Sequence, residues 1–286
     1  MSANNAPANN SPAIMPATTS GNSAFEIRQG AGWSRGLDNF LRTELTGWFG
    51  TRTWLWQLLI WVGIIDGILA VTLYAMGSDP AVSNPENDGA MLYSIFTGMF
   101  AAIGVVIIMQ EAILGERLNG TAAWVLSKPL SRPGFILSKL IGNLAGILVC
   151  MVLAPGLIAY VLISWLGVGS WLPFGSFLAG MACLGIALFF YQAMTLMFGA
   201  LFSNRGAVIG LSLAFVFGQQ FLIGMLPFLG RILPIGIYLP KENEPTLASA
   251  LLLGQPAPEL TPALASLALG ILFVVIAVWK FNRIEL

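Results

Sequence analysis

The groups that carry covalent or acid–base chemistry are scarce in this chain of 286 residues, and their scarcity narrows its function. Histidine is absent, which removes HExxH zinc sites, Ser-His-Asp and Cys-His nucleophile systems and most haem ligation. The two cysteines, Cys150 and Cys183, fall in apolar runs, the usual setting of buried structural thiols. No GxxxxGK[ST] phosphate-binding loop occurs, so nothing here holds ATP. Two features remain. One is Asp66, an acid in the middle of an apolar run. The other is the stretch from Glu111 to Asn143, EAILGERLNGTAAWVLSKPLSRPGFILSKLIGN, with Glu111, Glu116, Arg117, Lys128, Arg132 and Lys139 and prolines at 129 and 133. Charges of both signs among turn residues suit docking and ion pairing rather than bond-breaking.

The elements that must position these residues are membrane helices. The chain is 57% hydrophobic and 9% charged, against about 25% charge in soluble domains, and its formal net charge of zero gives no basic field for nucleic acid. The expected fold is all-α and polytopic, with six spans at about 54–76, 91–109, 141–166, 177–202, 207–228 and 262–279. The first, of about 23 residues, is about 34 Å long at 1.5 Å per residue, enough to cross a bilayer. Pro155-Gly156 should kink or break the third. Residues 1–30 are poor in charge and apolar residues, lack the basic and apolar regions of a secretory signal, and suit a disordered tail ahead of a membrane domain over 31–286. Between Gly36 and Phe49, Leu37, Phe40, Leu41, Leu45 and Trp48 share one helical face, while Asp38, Asn39, Arg42, Thr43 and Glu44 take the other. Such a helix before a span is expected in the membrane interface, with Trp48 at headgroup level. In the long segment 230–260, TLASALLLGQ is too short to span and suits a re-entrant or interfacial helix.

Of the 13 lysines and arginines, only Arg231 and Lys241 fall on the loops that would be external if both termini are cytoplasmic. That asymmetry orients a multi-pass protein of the cell inner (plasma) membrane with both ends inside. The stretch 111–143 then lies at the cytoplasmic face. Glu111 to Leu118 can extend the second span; Asn119-Gly120 signals a turn; Thr121 can cap a short helix over AAWVLS; Lys128-Pro129 ends it; and Phe135 to Leu140 leads into the third span.

This stretch resembles the signature of the ABC-2 type permeases, membrane subunits of ATP-binding-cassette transporters. The matching residues are Glu111 and Glu116, Gly120-Thr121, Leu126-Ser127, Pro129, Ser131-Arg132 and Lys139. The six-span layout, the amphipathic helix and the long segment before the sixth span extend the likeness over most of the chain. The resemblance implies a permease, not an enzyme, that pairs with a second copy or a paralogue. Each permease docks a separate ABC ATPase subunit, which carries the ATP and magnesium. It also implies that 111–143 holds a coupling helix seated on that ATPase, with Trp124, Val125 and Leu126 as apolar anchors. Glu116, Arg117 and Arg132 would make polar contacts or ion pairs within the connector, and Gly120 would supply the turn. Glu111 would pair with a cation of the connector or of the amphipathic helix.

In that family the second and fifth spans face the dimer axis, so Gln219 and Gln220 are candidates to line a pathway. Asp66 serves either a transport or proton-relay role or a structural hydrogen bond, since a carboxylate at that depth must face protein or water, or be protonated. Export driven by the ATPase is the leading expectation. A membrane scaffold that transmits force without a continuous substrate path shares the same connector. The sequence does not name a substrate.

Overall fold

A computed structural model describes residues 34, 36–79, 84–119, 130–240 and 245–283. Of the residues singled out above, Gly120, Thr121, Trp124, Val125, Leu126, Ser127, Lys128, Pro129 and Lys241 lie outside it, as do the side chain of Arg117 and the tail over 1–30. The described residues are helical with no strand: α1 (Leu37–Phe49), α2 (Thr53–Gly77), α3 (Pro85–Ile95), α4 (Ala101–Leu118), α5 (Arg132–Ile147), α6 (Ala154–Leu162), α7 (Phe174–Leu201), α8 (Arg205–Met225), α9 (Ile235–Tyr238), α10 (Leu247–Leu252) and α11 (Thr261–Asn282). Joined through π-helical turns at Phe96–Phe100, Leu148–Leu153 and Ile163–Val168, they form six helices long and apolar enough to cross a membrane. These correspond one for one to the expected spans. The second and third are longer than expected, Pro85–Glu116 and Arg132–Val168, because both run past the apolar segment into the connector.

The fourth span, α7, is the centre of the bundle. It packs against the second, fifth and sixth spans and against α10, and most of its side chains are buried. The first span touches protein along one stripe, Trp61, Ile65, Asp66, Leu69 and Leu73. Its other faces leave Leu59, Ile60, Ile64, Ile68 and Val71 exposed. Lipid tails are as apolar as leucine, so these residues need no protein cover.

The third span stays helical through Pro155 without a break. Proline offers no N–H to the preceding turn, and the helix passes it by widening to a π turn over Leu148–Leu153. Within that turn the Val152 carbonyl accepts the Tyr93 hydroxyl at 3.1 Å, tying the second span to the third. The TLASALLLGQ stretch, expected to be a re-entrant or interfacial helix of about ten residues, forms the shorter helix α10, and a further short helix, α9, precedes it. Leu247, Ala248, Ala250 and Leu252 are buried against the bundle, so irregular backbone here is enclosed by protein. Thr246 caps α10 by accepting the Ser249 amide at 2.9 Å.

Candidate functional site

The charged residues of the sequence converge where the second span leaves the bundle and the third re-enters. Lys139 of α5 lies 2.7 Å from Glu44 of α1 and also pairs with Glu116 of α4. The three side chains are only 12%, 16% and 23% exposed. One ammonium therefore clasps carboxylates from two other helices in a partly dry setting, where ion pairs are less screened than on an open surface.

A fitted helix interface surrounds the clasp. The Trp48 indole donates to the Asn143 side-chain oxygen at 3.0 Å, and the Asn143 amide donates to the Lys139 carbonyl at 2.8 Å. Glycines 142 and 146, one turn apart on α5, let α1 approach this closely: a Cβ at Gly142 would collide with the Glu44 side chain, and one at Gly146 with the Trp48 ring. Phe40 packs edge-on to Phe135 at 6.5 Å between centroids, and Phe135 stacks on Phe281 of α11 at 5.2 Å. The amphipathic pattern of α1 is as expected, with Leu37, Phe40, Leu41 and Leu45 half-buried and the polar side exposed. The stripe packs on α5. Trp48, placed at headgroup level from the sequence, is buried on protein at 6% exposure.

Three charged residues have partners that the sequence did not indicate. Glu44, assigned to the polar side of α1, turns inward to Lys139. The signal was in the spacing: residue 44 is four beyond Phe40 and four before Trp48, in register with the apolar stripe. Arg132 donates to the carbonyls of Phe281 and Asn282 at 3.2 and 2.9 Å, which satisfies groups orphaned at the end of α11 and places a cation at the negative end of its dipole. Glu111 lies 3.0 Å from Arg205 at the start of α8, an exposed pair. Five residues separate Glu111 from Glu116, which turns them about 140° apart around one helix. They cannot serve the same partner.

The remaining candidates lie deeper. Asp66 is 4% exposed, and neither carboxyl oxygen has a hydrogen-bond partner among the described residues. Gln219 is fully buried and donates to Tyr191 at 2.6 Å and Tyr238 at 3.2 Å, whose hydroxyls are 2.7 Å apart. This network joins the fourth and fifth spans to α9, and it leaves Gln219 facing no opening in this conformation. Gln220 is exposed on the outer side of α8 with its amide 3.5 Å from the Met99 sulfur. Gln192, a buried amide on the fourth span, donates to the Leu140 carbonyl at 2.8 Å. Tyr191, Tyr238 and Asn143 went unremarked in the sequence because these partners are 19 to 95 residues away.

Among the described residues the site holds no nucleophile with an adjacent base. It ties three helices to one another where the second span ends and the third begins. A family model described as ABC-2 family transporter protein matches residues 51–286. No curated protein matches the chain.

Proposed function

The chain belongs to the ABC-2 family of transporter proteins, and on that premise we propose that it couples ATP hydrolysis on a separate nucleotide-binding subunit to export of a substrate across the cytoplasmic membrane. The observation that carries this reading is the Glu44–Lys139–Glu116 clasp. A push on the connector reaches α4 and α5 directly, and the clasp passes it to α1 and so to the root of the first span. The three spans then move as one body about the fixed core of α7, as alternation between two packed states requires. ATP and magnesium sit on the partner, and Trp124, Val125 and Leu126 supply the apolar contacts with it. Both termini and the connector face the cytoplasm, as the charge asymmetry requires.

A second copy or a paralogue completes the permease. The outer face of α8 supports this: Gly210, Gly218 and Gly224 have nothing near them, and Phe221 and Met225 are 78% and 80% exposed. Small residues beside large apolar ones are the pattern by which membrane helices approach one another.

The test is affinity purification of the tagged protein in mild detergent, wild type beside a Trp124→Ala, Leu126→Ala double variant, with mass spectrometry of what co-purifies. A protein with Walker motifs that accompanies the wild type and not the variant supports the reading. An intact permease that never retains such a protein overturns it. A second reading, a force-transmitting scaffold with no substrate path, draws support from the burial of Gln219 in its tyrosine network. Reconstitution with the ATPase separates the two, because a scaffold stimulates hydrolysis but moves no solute between compartments.

A further inference from the structure

We propose that the cleft on the side of the bundle between the third, fourth and sixth spans is a binding site for one acyl chain of a bilayer lipid, in the leaflet opposite the connector. The cleft has a volume of about 490 Å³, within the range of small-molecule sites. Every residue lining it is apolar, from Leu144, Leu148 and Leu153 on the third span to Leu178 and Phe189 on the fourth and Leu267 on the sixth. No charged or hydroxyl side chain is present to hold a headgroup, an ion or a polar solute. Water finds no partners there either.

Two features select an acyl chain over other apolar occupants. The cleft is continuous with the surface that the spans present sideways to lipid: Leu153, Leu178 and Leu267 belong to its lining and are 43%, 39% and 36% exposed. Its depth also fits. From Leu178 to Phe189 the fourth span rises about 16 Å, roughly half of a 30 Å hydrocarbon core, the reach of one chain in one leaflet. The fourth and sixth spans both begin at the end away from the connector, and Leu178 and Leu267 lie near those beginnings. The headgroup therefore rests on that side.

The wall of the cleft is built where the third span is least regular. Leu148, Val152 and Leu153 come from the π turn before Pro155. Gly185 opposite is pressed close: a Cβ there would sit 3.0 Å from a Leu148 methyl. An occupant touches the turn that widens to pass the proline.

The experiment uses the purified full chain in phosphatidylcholine nanodiscs carrying a fraction of phosphatidylcholine with a diazirine on one acyl chain. After irradiation, adducts are mapped by mass spectrometry. Adduct density on Leu148, Leu153, Leu178 and Ile186 is expected to exceed several-fold that on the open face of the first span, at Leu59, Ile64 and Ile68. Ala182→Trp, at an exposed lining position with room for the ring, should abolish the excess while leaving the first-span adducts unchanged; Ile186→Phe serves if Ala182→Trp does not purify as a single species. Equal density on the two faces, or an excess that survives filling the cleft, overturns the proposal. The measurement needs no ATPase, so its failure would leave the coupling reading standing, and failure of coupling would leave the acyl site standing.

Discussion

Lys139 pairs with two carboxylates at once, so its loss costs more than one exposed ion pair. Lys139→Met removes the cation that Glu44 and Glu116 share in a partly buried setting. Removing one partner of a buried pair costs about 3–5 kcal/mol, and the partial exposure here brings the expectation nearer about 2. Thermal unfolding of the purified variant should show this, with Lys139→Arg retaining most of the stability. The exposed Glu111–Arg205 pair behaves differently: Glu111→Gln should change stability by about 1 kcal/mol or less. Asp66 gives the opposite sign. Both of its oxygens are buried without a partner among the described residues, so Asp66→Asn should leave thermal stability unchanged or raise it by about 1 kcal/mol. If Asp66 also carries protons during transport, the same variant loses transport while keeping its fold.

At the scale of elements, α1 is held to α5 by close backbone approach more than by the strength of any single bond. Gly146→Leu drives a side chain into the Trp48 ring and should undock α1 without unfolding the spans. Spin labels at exposed positions of α1 and α5, Thr43→Cys and Ile141→Cys, report the docking as an interhelical distance. That distance should lengthen and broaden in the variant, and an unchanged distribution would show that the glycine stripe is dispensable. With α1 released, ATPase stimulation by the permease should fall, because the first span no longer follows the connector. The same scale explains why Arg132 is no simple surface contact: it closes the last turn of α11 from the first turn of α5, fixing the root of the connector to the last span.

At the scale of the whole molecule, the first and fifth spans are the least buried. The fourth span is enclosed, whereas the outer face of α8 carries Gly210, Gly218 and Gly224 with open space above them. A copper-catalysed disulfide between copies is expected for Ala214→Cys, on that face, and not for Ile64→Cys on the first span. Cross-linking at Ile64 alone would move the dimer axis elsewhere.

How much of this was legible in the sequence follows from the range of the forces involved. The number of spans, their order, the amphipathic α1 and the helical extension of the second span rest on hydropathy and local periodicity. A bilayer demands that every backbone group be satisfied within its own helix, so composition over about twenty residues determined them. The family signature around the connector was likewise local. What only the tertiary structure decided is partnership. Whether Glu44 faced water or Lys139, whether Arg132 reached the end of α11, whether Gln219 lined a path or closed a tyrosine network: each depended on helices brought together from distant parts of the chain. Inside a membrane that information is faint in sequence, because lipid-facing and protein-facing surfaces are both apolar and the hydrophobic pattern no longer marks the inside.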